Sequence, residues 1–320
     1  MFTCYAARLL GSIAFAVFLA LPGRAMAEIC VLVPHFKDEY WLSVGYGLEH
    51  EARAAGLELA FHEAGGYLAR EHQIAQIEAC AAAGAQAILI GAVTSDHPAL
   101  LSAVAQAART TPVFALVNEL HSHALSGSIG VDWRDMGRVV GAGLAQLWPE
   151  GAGAQAVLMT GPPQSGWVAP LEEGLYKALE GSGVRIVAVY GADTGLREQF
   201  ANVTRAFDEH PDMNILIGSA TAIEAAMGHL AAHPDQPRPM LAASYVNHSI
   251  RRGLSNGSIA AAPFDDPQAQ GRIALRTVAR FLQTGIAPAQ TGPRVRLIRA
   301  GDPDAGLLPL SPADYFPAIR

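Results

Sequence analysis

The chain has 320 residues, of which 51% are hydrophobic and 16% charged, with a formal net charge of −7. This composition excludes intrinsic disorder and suffices for a large core or for two lobes of roughly 130 residues each. No run of Lys or Arg exceeds the pair Arg251-Arg252, so neither nucleic acid nor an anionic membrane surface is an expected partner.

Residues 1–27 read apart from the rest: Arg8, an apolar run from Leu9 to Leu21, Pro22-Gly23-Arg24 and the small triplet Ala25-Met26-Ala27. That is the layout of a secretory signal peptide cleaved after Ala27, and an apolar run of about thirteen residues is too short to span a bilayer. The mature chain is expected to be a soluble exported protein. Cys4 leaves with the signal. Cys30 and Cys80 then form an even pair in an oxidising compartment, readable as one disulfide within the first lobe or as two buried thiols.

After Ala27, apolar β-rich runs appear at Ile29 to Pro34, Leu57 to Glu63, Ala87 to Val93, Val113 to Val117 and Ile129 to Val131. Between them lie helical spacings such as Ile74, Ile77 and Ala81, or Leu100, Val104 and Ala107. From Trp133 the alternation restarts. It gives helices at Asp135 to Trp148, Ala169 to Leu179, Arg197 to Glu209 and Thr221 to Ala232, with strands at Ala154 to Met159, Arg185 to Tyr190, Asn214 to Gly218 and Met240 to Ser244. Short connections imply right-handed crossovers and parallel sheets, and two sheets are favoured over a single one of ten or more strands.

The last units, Ser249 to Ser255, Ile259 to Pro263 and Gln268 to Gln283, follow without a Pro/Gly-rich linker. The expected fold is therefore α/β: two Rossmann-like lobes, each a parallel sheet flanked by helices. The first lobe takes 28–131 plus 246–286, the second 132–245, and the tail 287–320 packs irregularly over the hinge. Lobes joined by several crossing strands can close around a ligand.

Ligands of parallel α/β sheets bind outside the carboxyl ends of the strands. In the first lobe that rule selects Asp38, Tyr40, Trp41, Tyr67, Ser95 and Asn118; in the second it selects Trp133, Gln164 to Trp167, Asp193, Thr221 and Tyr245. The stretch Pro34 to Trp41 has no glycine and so cannot cradle a phosphate; it reads as part of an aromatic pocket or as rings closing the first helix onto the sheet. Three of the four tryptophans stand at strand ends, although aromatics make up only 7% of the chain. Converging ring faces suit a compact methylated cation, at about 0.5 to 2 kcal/mol per ring. A sugar would also need many polar partners, and the strand ends supply few.

Signatures of chemistry are missing. Gly45-Tyr46-Gly47 and Gly141-Ala142-Gly143 fall inside helices as packing sites, and Gly161 to Gly166 has phosphate-loop spacing with Trp167 where Lys is needed. The eleven histidines form no HExxH and no Cys/His cluster; His50, His62 and His72 read as surface residues, and no metal is expected. Asp265-Asp266 reads as a loop cap.

Four segments carry a family resemblance: Lys37-Asp38-Glu39-Tyr40-Trp41-Leu42-Ser43, Glu63-Ala64-Gly65-Gly66-Tyr67, Val131-Asp132-Trp133-Arg134-Asp135-Met136-Gly137 and Ala225-Ala226-Met227-Gly228. They resemble the TorT family of periplasmic trimethylamine N-oxide sensors, within the type I periplasmic binding proteins. The similarity runs from about Ile29 to Gln283, with Cys30 and Cys80 where that family also has cysteine. It implies a periplasmic, non-enzymatic protein without a cofactor that binds trimethylamine N-oxide between its lobes. Its partner would be the periplasmic sensor domain of a TorS-like membrane histidine kinase, which induces N-oxide respiration.

The resemblance places Asp38, Tyr40, Trp41 and Tyr67 from the first lobe, and Trp133 and Tyr245 from the second, around the ligand. Trp167 has no counterpart in the family pattern and either extends the box or covers it. The oxide needs donors, from a tyrosine hydroxyl, an indole or a backbone N–H. Asp38 would face the cationic side, orient a donor, or share a proton with the oxygen. The other reading on the same fold is a solute-binding protein that delivers a sugar, betaine or choline to an importer.

Overall fold

In the computed structural model, which describes residues 28–320, the chain opens with β1 (Ile29–Val33), five apolar residues buried on both faces. The expected signal peptide and Cys4 lie outside the described residues. Continuous burial is what a parallel strand covered by helices on each side requires. There follow α1 (Glu39–Ala55), β2 (Leu59–Glu63), α2 (Arg70–Ala82), β3 (Ala87–Ile90), α3 (Pro98–Ala107), β4 (Val113–Leu116) and β5 (Gly127–Ile129). These strands pair in parallel in the order β5-β4-β3-β1-β2.

The second lobe holds α4 (Trp133–Leu147), β6 (Ala154–Thr160), α5 (Val168–Leu179), β7 (Val184–Gly191), α6 (Leu196–Glu209), β8 (Ile215–Gly218), α7 (Ala220–Ala232), β9 (Met240–Ala243), α8 (His248–Asn256) and β10 (Ala261–Phe264). Its sheet repeats the same order, β10-β9-β8-β6-β7. In both sheets the first strand lies between the second and third, so its carboxyl end is a switch point where connections leave in opposite directions and a crevice opens. The segments after β1 and β6, which carry Asp38 and Trp167, stand at these two points.

Three connections run from one sheet to the other, β5 to α4, β10 to α9 (Pro267–Thr284), and β11 (Gln290–Thr291) to β12 (Arg296–Arg299), and the tail after β12 makes a fourth passage between the lobes. The expected return to the first lobe at residue 246 is corrected by the pairing, since β10 bonds to β9 and β12 in the second sheet. The crossing falls at Asp265-Asp266, after which α9 packs on α1. There Gly47 and Gly271 bring the helices together: a Cβ on either would run into the Gln268 or Val44 carbonyl of the facing helix. Nothing in the local sequence separates a buried strand of one lobe from that of the other. The tail is also more ordered than expected. β11 extends the first sheet beside β5, and β12 pairs antiparallel with β10. The chain end then returns to the first lobe, where Arg320 N–H donates to the Phe61 carbonyl at 2.9 Å.

Cys30 on β1 and Cys80 on α2 are joined by a disulfide, with His62 of β2 beside it, half-buried rather than on the open surface. The bond closes a loop of 50 residues, so chain entropy alone gives it about 4 kcal/mol, with about 2–4 typical of measured cases. Cys30→Ser/Cys80→Ser is expected to lose about that amount in denaturant unfolding followed by fluorescence, with the unfolding slope rising because the unfolded chain expands.

Where α1 meets α8, His248 Nδ1 stands 3.4 Å from Glu39 Oε2, and His248 Nε2 is 2.8 Å from the Ser311 carbonyl of the tail. The His248 hydrogen bond holds Glu39 below its ordinary 4.5. Burial pulls His248 down, but its bonds to Glu39 and Ser311 outweigh that and leave it above 6.5. Glu39 therefore stabilises above 4.5 and loses its contribution as pH falls through its folded value. His248 stabilises below 6.5 and loses its contribution as pH rises through its folded value. The melting-temperature gap between wild type and Glu39→Gln is expected to be widest between pH 4.5 and 6.5 and to narrow on either side.

Candidate functional site

The helix starts set the first side chains. Asp38 caps α1 by accepting the Tyr40 N–H at 3.1 Å, which points Tyr40 and Trp41 inward from the first turn. Asp132 caps α4 in the same way and sets Trp133 as its first residue. Two indoles then lie directly on backbone: a Cβ on Gly91, just past β3, would overlap the Trp41 ring, and one on Gly161, just past β6, would overlap Trp167. The glycine of the would-be phosphate loop is thus a seat for an aromatic ring.

All seven expected residues, Asp38, Tyr40, Trp41, Tyr67, Trp133, Trp167 and Tyr245, line one cavity between the lobes. Val117, Asn118 and Thr194 complete its wall. None of the ten is more than 4% exposed, so the lobes are shut over it. The space between atom surfaces is about 250 Å³, within which the centre of a water-sized sphere has about 10 Å³. That is about the room a single water needs. Trp167 extends the box, with its ring centroid 5.4 Å from Trp133 and 6.1 Å from Tyr245; Tyr40 meets Tyr245 edge-on at 5.3 Å.

Most donors of the wall are already engaged. Tyr245 donates to Asp38 Oδ2 at 2.5 Å, Tyr40 to Asp265 Oδ2 at 2.6 Å, and the Trp133 indole to the Val117 carbonyl at 3.0 Å. Tyr67 differs, because its oxygen accepts from the Asn118 amide at 3.2 Å while its own proton has no acceptor among the described residues. Burial raises Asp38 above the usual carboxylate range against the pull of Tyr245 and the Tyr40 N–H, and pushes Asp265 up to about 6. Both donors at Asp38, the Tyr245 hydroxyl and the Tyr40 N–H, spend their protons on the carboxylate itself.

Val117 has a φ of 66°, and the Asn118 N–H closes back on the Leu116 carbonyl at 2.7 Å. A β-branched residue in that region costs about 1–3 kcal/mol, and here the turn aims the Val117 carbonyl at Trp133. Strand-end reasoning did not reach Val117, Thr194, Asp265 or His35. Positive φ leaves no mark on a valine, and the other three act through partners 158 to 225 residues away. Asp265 does more than the expected capping, which Asp266 performs by accepting the Ala269 N–H at 2.8 Å.

Two doubly wound lobes, linked by several crossings and shut over a small aromatic cavity, make up the architecture of a type I binding protein. The periplasmic binding protein domain matches residues 29–286. The periplasmic protein TorT of Escherichia coli K12 is 34% identical over 308 residues, 95% of this chain and 88% of that protein. A solved TorT chain, in complex with the TorS sensor domain in the presence of trimethylamine N-oxide, superposes with a TM-score of 0.79 at 34% identity, covering 92% of this chain and 100% of that one. An ABC transporter solute-binding protein from Bradyrhizobium sp. BTAi1, with bound bis-tris, gives a TM-score of 0.74 at 32% identity, covering 92% and 89%. The chain belongs to the periplasmic binding protein family and, within it, to that of TorT.

Tyr245→Phe keeps the ring and strips Asp38 of a buried donor, with an expected stability loss of about 1–3 kcal/mol at neutral pH. The loss is expected to shrink on acidification, as the carboxyl takes up its proton, and to vanish in an Asp38→Asn background. Denaturant unfolding of the four proteins at two pH values measures both effects.

Proposed function

We propose that this periplasmic protein takes trimethylamine N-oxide into the aromatic cavity and passes its occupancy to the sensor domain of a membrane histidine kinase, performing no catalysis. The observation that carries the reading is the cavity itself: small, shut, walled by six aromatic side chains, with one hydroxyl proton uncommitted. The solved TorT complex, at 34% identity over 92% of the chain, supports both the ligand and the partner.

In this reading Trp41, Tyr40, Trp133, Trp167 and Tyr245 face the methyl groups and the cationic nitrogen. Tyr67 donates its free proton to the oxide, while Asp38 and Asp265 hold the two other tyrosines in place. The ligand has five heavy atoms, so a ceiling of about −1.5 kcal/mol per atom limits affinity to roughly micromolar. That suits detection of an abundant compound. The Bradyrhizobium relative supports delivery to an importer as the second reading, but a pentose or hexose would find its many hydroxyls facing ring faces and donors already bonded to the protein.

Calorimetry with trimethylamine N-oxide, betaine, choline and ribose separates the two. Saturable micromolar binding of the N-oxide is expected, and binding of ribose alone would refute the reading. Tyr67→Phe is expected to weaken the N-oxide at least about tenfold, the cost of one lost hydrogen bond to a charged acceptor. It should leave tetramethylammonium, which has no oxygen, almost unaffected.

A further inference from the structure

We propose that Asp193, with His35 and Thr194, forms an inter-lobe latch that keeps the cavity shut and positions Tyr67, and so sets how long a bound molecule stays. The proposal relies on the reading above only for the choice of probe. Asp193 follows β7 in the second lobe, and both of its oxygens are bonded to the first. Oδ1 lies 3.0 Å from His35 Nε2, and Oδ2 accepts the Tyr67 N–H at 3.0 Å. Thr194 Oγ1 stands 3.1 Å from the same His35 nitrogen.

The first lobe is shaped to receive this carboxylate. Gly66 has a φ of +153°, which side-chain-bearing residues rarely adopt, and a Cβ there would overlap Asp193 Oδ2. His35 is fully buried at the end of β1 and meets the Tyr67 ring edge-on at 5.8 Å. Burial raises the Asp193 carboxyl, but its bonds with His35 outweigh this and hold it below the usual carboxylate range, so the latch is anionic on this side. Neither His35 nor Asp193 lines the cavity, whereas Tyr67 and Thr194 do.

A Thr–His–Asp cluster invites comparison with a nucleophilic triad, and the geometry excludes it. A triad needs the two ring nitrogens to face different partners. Here Asp193 and Thr194 both meet Nε2, and Nδ1 is buried without a partner. The cluster fastens surfaces and relays no proton. Its bonds form only once the lobes meet, so their loss acts on opening and release rather than on encounter.

The test uses the mature protein with Asp193→Ala and, in case that variant folds poorly, the isosteric Asp193→Asn, which cannot accept through both oxygens. Small-angle scattering without ligand reads closure, and stopped-flow tryptophan fluorescence with trimethylamine N-oxide reads rates. The latch predicts a larger radius of gyration and release at least about tenfold faster, with association within about twofold of wild type. Wild-type scattering and release in both variants, or a loss confined to association, would overturn it. If wild type ignores the N-oxide while the variants still open, the latch stands and the ligand assignment falls. If wild type binds and the variants behave like it, the latch falls alone.

Discussion

The aromatic wall turns on one hydrogen bond, from the Tyr245 hydroxyl of the second lobe to the Asp38 carboxylate of the first, 2.5 Å long and sealed from solvent. A buried carboxylate is costly unless its lone pairs are filled, and Asp38 fills them from two directions. One oxygen takes the Tyr40 N–H at the start of α1; the other takes Tyr245. The same side chain therefore starts the helix that presents Tyr40 and Trp41 and fixes the ring that comes to meet them. Parting the lobes removes that bond and unseats the Tyr245 ring, so the aromatic wall and the closed arrangement stand together.

The three sheet-to-sheet crossings, with the tail as a further strap, limit how the lobes can part. A single tether would let them tumble, whereas several side-by-side connections leave bending about one axis as the soft motion. Asp265 sits on the second crossing and accepts from both Tyr40, at 2.6 Å, and Gln270 of α9, at 2.7 Å. The hinge thus reaches the cavity wall through a buried carboxylate. The first crossing reaches it through Val117 and Trp133. The cavity wall and the segments that bend are joined by direct bonds.

The sequence was legible where a physical rule ties position to type. Parallel strands with short crossovers must present their carboxyl ends to a crevice, so Asp38, Tyr40, Trp41, Tyr67, Trp133, Trp167 and Tyr245 could be read from strand ends alone. The lobe boundary was illegible for a related reason: β10 is as uniformly apolar as any strand, and which sheet it joins depends on partners, Ala242 and the 296–299 segment, that local pattern does not reveal. The polar residues that hold the aromatics were legible only in part. Asp193 and Asn118 stood on the strand-end list without a role, because their partners His35, Tyr67 and Ala92 lie in other elements.

Selectivity in such a site comes from what is no longer free. Three of the wall's donors are committed to the protein, to Asp38, Asp265 and the Val117 carbonyl. A polyhydroxylated guest would have to break those bonds or leave its own hydroxyls unpaired, and each buried unpaired group costs about 1–3 kcal/mol. A guest with one acceptor oxygen and an otherwise methylated surface incurs neither cost, since it meets ring faces over most of its surface and can take the Tyr67 proton with its oxygen. The same commitments that hold the rings therefore narrow the class of molecule the cavity admits, without any contact specific to a nitrogen.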